Sequence, residues 1–131
     1  MMEHFHLNQT DGIVVIKVDL INATDKEAKT LLEIFEKYLL FDGSKILIDL
    51  TSCSHIDSTF IGMIVKIFKK VSGNNGQLKL VFPQLSIIDS FRVIGISKIL
   101  KCYDSADDAL AAFKAEQLDR SFLLNEEINR N

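Results

Sequence analysis

The sequence predicts an α/β fold: one domain with a mixed β-sheet, helices packed mainly on one side, and elements in the order ββαβαβαβα. Three observations carry this. Short β-branched runs alternate with segments of helical period, the pattern of strands joined by helical crossovers. Asp11-Gly12 lies between two apolar runs and marks an antiparallel hairpin, so the sheet is not purely parallel. A chain of 131 residues, 47% apolar and 25% charged, has material for one core and no room for a second.

The hairpin pairs Phe5 to Gln9 with Ile13-Val14-Val15-Ile16-Lys17-Val18. Thr24 and Glu27 then have the spacing of a capping box, in which each side chain satisfies a backbone N–H at a helix start. Ala28, Leu31, Leu32, Phe35, Tyr38 and Leu39 follow as an apolar stripe at helical period. Asp42-Gly43 closes that helix, and Lys45 to Leu50 is a nearly continuous apolar run, as expected of a buried central strand.

A second helix is expected over Ser58 to Val71. It is apolar on more than one side (Phe60, Ile61, Met63, Ile64, Val65, Ile67, Phe68) and so should be largely enclosed. Gly62 within it suggests close approach to the sheet or a neighbouring helix, since glycine otherwise disfavours a helix interior. Gly73-Asn74-Asn75-Gly76 supplies a turn, and Leu78 to Phe82 is a strand stopped by Pro83. A short third helix over Leu85 to Ile94 is expected to end at Gly95, with Ile99 to Tyr103 as the last strand. Ser105, three residues before Asp108, caps a final helix bearing Ala109, Leu110 and Phe113.

Bulk properties narrow the function. A net charge of −3 gives no broad attraction to nucleic acid or anionic lipid, so neither partner is expected. Cys53 and Cys102 stand alone, without CxxC spacing, which fits a reducing cytoplasm and implies no disulfide or structural metal. His4 and His6 share one strand face and read as an exposed edge, not a metal site. The polar start lacks a signal peptide, and no apolar stretch is long enough to span a bilayer, so a cytoplasmic location is expected. No GxxxxGK[ST] loop occurs, and no cofactor is implied.

The informative stretch is Asp49-Leu50 followed by a polar loop and Asp57-Ser58-Thr59-Phe60-Ile61-Gly62. If Asp57 is the N-cap, Ser58 is the first helical residue, at the positive end of the helix dipole. A phosphate there is compatible with the fold and would reverse the local electrostatics. The bland alternative is an ordinary helix cap; the strand–loop–helix context favours the phosphosite. Thr59 is the alternative acceptor. His55 has no acid at interpretable spacing and no oxyanion hole beside it, so a serine hydrolase built on Ser58 is the least favoured reading, and no enzyme is expected.

At these residues the chain resembles the anti-sigma factor antagonist family, the bacterial STAS domains. Their pattern is a strand ending in Asp-Leu, a short loop, Asp-Ser-[Ser/Thr]-Gly-x-Gly and a helix. Gly76, Pro83 and Phe91 to Ile99 resemble the family's later pattern, so the likeness spans roughly residues 5 to 115. It implies a STAS-like domain over residues 1–118 with an extension or tail over 119–131. It also implies a partner switch. The unphosphorylated protein would bind an anti-sigma factor, a histidine-kinase-like serine kinase that phosphorylates Ser58, and a serine phosphatase would restore binding. Asp25, Asp57, Ser58, Thr59, Phe60 and Met63 are then the expected partner-binding residues. Phe60 stands where the family usually has Gly, and Asp25 is the nearest counterpart of an acidic residue expected after the second strand. A STAS-like docking scaffold that is never phosphorylated is the competing reading, and a homodimer is left open.

Overall fold

Asp11 and Gly12 turn the chain with φ of 53° and 80°, the left-handed pair that a two-residue hairpin requires. That turn fixes the register of β1 (Phe5–Thr10) against β2 (Ile13–Val18), from Phe5↔Val18 to Thr10↔Ile13. The structure is a computed structural model that describes residues 4–39, 41–82 and 100–129, with side chains as far as residue 118. Beyond the hairpin come β3 (Asn22–Ala23), α1 (Asp25–Ile34), β4 (Lys45–Asp49), β5 (His55–Ile56) and α2 (Ser58–Gly73). β6 (Gln77–Val81), β7 (Lys101–Tyr103) and α3 (Ala106–Asn129) complete the described elements.

Five strands form one mixed sheet in the order β1-β2-β4-β6-β7. The hairpin is antiparallel, whereas β2–β4, β4–β6 and β6–β7 are parallel. Strand periodicity then sorts the side chains between two layers. Ile16, Val18, Ile46, Ile48, Leu78 and Leu80 meet α1 and α2 in the larger core. Ile13, Leu47 and Val81 point the other way, to Ala109 and Phe113 of α3. Two described helices therefore cover one face and one covers the other. At the bottom of the sheet, a Cβ on Gly76 would lie 2.6 Å from the Ser44 carbonyl oxygen and 2.7 Å from Val71 Cγ1, so only glycine fits that turn.

The capping box at α1 is present: the Glu27 carboxylate accepts from the Thr24 N–H at 3.2 Å and from its hydroxyl. Those bonds, the hydroxyl's first, hold the Glu27 pKa below its ordinary value. Two sequence expectations fail nearby. α1 ends in a π-helical turn over Phe35–Leu39. The wider turn keeps Phe35 and Leu39 buried but swings Tyr38 out to 55% exposure, away from the apolar stripe predicted for it. Gly62 is exposed, and among the described residues a Cβ there would meet nothing within 4 Å, so it makes no close approach to them. The helix expected over Leu85 to Ile94, with its Asp89-Ser90 pair and Gly95, lies outside the described residues.

Candidate functional site

The loop after β4 and the loop after β2 are joined edge to edge. β3 and β5 form a two-residue parallel pairing, Asn22↔His55 and Ala23↔Ile56. The Ser54 and His55 N–H groups both donate to the Ile21 carbonyl, at 2.8 and 3.0 Å, and Asp57 N–H donates to the Ala23 carbonyl at 3.0 Å. This pairing sets Asp57 between the starts of two helices. Its Oδ1 accepts the Phe60 N–H at 2.8 Å, as an N-cap does for the third amide of a helix. Its Oδ2 accepts the Asp25 N–H, the first amide of α1, at 3.0 Å. One carboxylate thus clamps the positive ends of α1 and α2 together.

Ser58 and Thr59 follow directly, both exposed, as the first two residues of α2. Asp25 is also exposed and adjoins them through Asp57. Met63 is half-buried and packs against the larger core. Phe60, which the sequence left open between a contact surface and the core, is 0% exposed, a core residue beneath the clamp. The helix is apolar on more than one side, so periodicity alone did not tell which side Phe60 takes.

Sequence reasoning missed Ile21. It is 68% exposed beside His55, in the strip that β3 and β5 hold against the start of α2. Its sequence neighbour Leu20 is equally apolar and packs against the core, so the sequence did not mark which of the two is exposed. Cys53 lies buried in the loop after β4, its thiol pushed up to about 11 by burial and, next, by the Asp49 charge. It stays protonated at neutral pH and offers no thiolate. Among the described residues no hydrogen bond joins His55 to Ser58, and no group of three or more His, Cys, Asp or Glu side chains converges as metal ligands. No described helix is long and apolar enough to cross a membrane.

The sequence pattern of the STAS domain matches residues 4–109. The chain belongs to the STAS domain family. A Thermotoga neapolitana protein, named provisionally as an anti-sigma factor antagonist, is 34% identical over 77 residues, which is 59% of this chain and 68% of that protein. A crystal structure of a protein from Thermotoga maritima, described provisionally in the same terms, superposes with a TM-score of 0.73 at 23% identity, covering 84% of this chain and 94% of that one. The anti-sigma factor antagonist SpoIIAA in its unphosphorylated form superposes with a TM-score of 0.65 at 16% identity, over 85% of this chain and 96% of its own. At those identities the structural likenesses establish fold alone. They identify a single α/β STAS-like domain with a mixed five-stranded sheet.

Proposed function

We propose that this STAS domain is a partner-switching anti-sigma factor antagonist: it binds an anti-sigma factor that is also a serine kinase, and phosphorylation of Ser58 ends that binding. The observation that carries the reading is the Asp57 clamp. By fixing the start of α2 it holds Ser58 outward, at the first helical position, where backbone N–H groups have no intrahelical acceptor. A phosphate on Ser58 would sit in the field of two converging helix N-termini, so the fold would tolerate it. The same phosphate adds about −1.5 to −2 charges to a surface where Asp25 already stands exposed. A partner that meets Ser58 and exposed Ile21 with an apolar or acidic surface would lose the fit through desolvation of the dianion or like-charge repulsion.

ATP and the transferring machinery belong to the kinase in this reading, and a serine phosphatase resets the switch, in the cytoplasm. Thr59, also exposed, is the alternative acceptor. The experiment compares phosphorylated and unphosphorylated chain in titration against the candidate serine kinase, with circular dichroism as the fold control. Phosphate should map to Ser58 by mass spectrometry and weaken binding while the spectrum is unchanged. Ser58→Ala should bind but resist phosphorylation, and Ser58→Glu should weaken binding only in part, having one charge. Equal affinity of the two forms for a verified partner would leave the docking scaffold as the better reading. Phosphate confined to Thr59 would move the switch by one residue.

A further inference from the structure

We propose that β1 is a self-association edge, through which two copies of the chain pair antiparallel about a two-fold axis at Leu7 and join their sheets. This proposal is independent of the Ser58 reading. The sheet ends at β1, and among the described residues nothing pairs with its outer side. Exposed sheet edges are usually blunted by charge, proline or a bulge. β1 reads Phe-His-Leu-Asn-Gln-Thr, with no Lys, Asp, Glu or Pro, and its register against β2 runs without a bulge from Phe5 to Thr10.

The hydrogen-bond alternation says which groups are free. Asp19 N–H donates to the His4 carbonyl at 2.7 Å, one step before Phe5↔Val18, so His4 and Asp19 are a hydrogen-bonded pair. In an antiparallel ladder such pairs alternate, so His6, Asn8 and Thr10 turn their backbone groups to β2, and Phe5, Leu7 and Gln9 turn theirs outward. The Gln9 N–H fits this assignment: it is satisfied by the neighbouring Asn8 Oδ1 at 2.8 Å.

Those three residues are self-complementary. A two-fold at Leu7 sets Leu7 against Leu7 of the partner subunit and Phe5 against the partner's Gln9, in both directions. Three outward pairs with two bonds each give six backbone hydrogen bonds, two of which take the Gln9 N–H from the Asn8 Oδ1 it bonds in the monomer. His6, whose Nε2 lies 3.5 Å from Asp19 Oδ2, then faces the partner's Asn8. No carboxylate or ammonium on β1 meets its own copy across the axis, and this absence of like-charge contact makes a second copy the occupant. On the α1 side, Leu7 and Val14 line a shallow cleft with Tyr38 and Phe41, which are 55% and 51% exposed. The two-fold brings a second such cleft beside the first. Strand pairing of this length buries little area, so the dimer is weak and concentration-dependent.

The test uses the full chain from micromolar to millimolar concentration, by sedimentation velocity and residue-resolved amide exchange. The dimer should grow with concentration, and the Phe5, Leu7 and Gln9 amides should slow in step. Once about nine-tenths of the chain is dimeric, their exchange through the remaining monomer should be about tenfold slower, while His6, Asn8 and Thr10 stay protected throughout. The double variant His6→Lys with Asn8→Lys, both at exposed positions, should keep the monomer's spectrum and urea midpoint and stay monomeric. A wild-type chain that is monomeric at millimolar concentration would overturn the proposal. So would a dimer that leaves the three outward amides unprotected, or one that survives in the double variant.

Discussion

The two faces of the sheet are held by different physics. The face under α1 and α2 has an apolar centre, where Phe35, Ile46, Ile48 and Phe60 are all 0% exposed, with the buried Ser44 at its edge. The face under α3 carries a lysine. Lys79, in the middle of β6, is 2% exposed, with its Nζ 2.9 Å from Glu116 Oε1 and 4.8 and 5.5 Å from the ring centres of Phe113 and Tyr103. Burying an ammonium costs several kcal/mol unless a carboxylate and further contacts compensate, so apolar area alone cannot hold this face. Lys101 shares the same Glu116 oxygen at 3.1 Å, which ties β6, β7 and α3 to one carboxylate. The first face gains stability from area and carries the clamp at Ser58; on the second, ion pairs of Glu116 with Lys79 and Lys101, and of Lys114 with Asp11 at 3.0 Å, fix where the helix lies.

The largest effect should come from the apolar face. Phe60→Ala would empty a fully enclosed site directly beneath the start of α2, at a cost of about 3–5 kcal/mol. Urea unfolding should show a correspondingly lower midpoint. Phe113→Ala should cost less, because α3 packs on the sheet from one side and can settle into the space. Equal losses would mean that the two faces are equally rigid.

The ionic face breaks differently. Glu116→Gln leaves Lys79 buried with a weaker acceptor and should cost about 1–3 kcal/mol, toward the lower end because the Glu116 side chain is still 30% exposed. Lys79→Met removes the charge together with its need for a partner and should be close to neutral. In that background Glu116→Gln should cost little, and the double-mutant cycle measures the pair. Burial alone would raise the Glu116 pKa, but its hydrogen bonds and charge interactions with Lys79 and Lys101 outweigh this and hold it below its ordinary value. A depressed carboxylate stabilises the fold above its unfolded pKa, and that contribution is lost as pH falls through the lower folded value. The gap between wild type and Glu116→Gln should therefore be full at neutral pH and close on acidification. A gap that widens in acid would reverse the assignment.

Much of the apolar face was legible in the sequence, because local chemistry decides it. Asp11-Gly12 accepts two positive φ values, Thr24 and Glu27 cap α1, and Asp57 caps α2, each through neighbours within three residues. What stayed hidden depends on distance. The β3–β5 pairing is two residues long and has no period to detect. The π-turn that exposes Tyr38 alters no local residue preference. Leu78-Lys79-Leu80 alternates like a half-exposed strand, and the carboxylate that allows Lys79 to be buried lies 37 residues further along. At the candidate site the same division holds: Ser58 was found through its cap, whereas Phe60 and Ile21 were settled only by tertiary contacts.

A smaller effect of opposite sign is expected at the outer side of α2. Glycine in a helix interior is about 1 kcal/mol less favourable than alanine, and a Cβ at Gly62 would touch nothing within 4 Å among the described residues. Gly62→Ala should raise the urea midpoint by up to that amount without altering the core. A lowered midpoint would show that a residue outside the described set crowds this position.

The smallest effect belongs to the far end of α3. The helix starts just after β7 and runs back along the sheet, since Glu116 reaches Lys101 at the first residue of that strand. From Ala106 to Glu116 it rises about 15 Å, close to the ~16 Å length of a five-residue strand such as β6. The sheet is used up at that point. Leu118, two residues and about 200° further round the helix, faces away from the sheet and is 71% exposed. We therefore expect the domain to be complete by residue 118. Deleting 119–131 should change stability by no more than about 0.5 kcal/mol, leaving one cooperative transition and an unchanged Glu116→Gln difference. Loss of cooperativity in the shortened chain would put part of 119–131 in the core, and the ionic face would then extend beyond the clasp at Glu116.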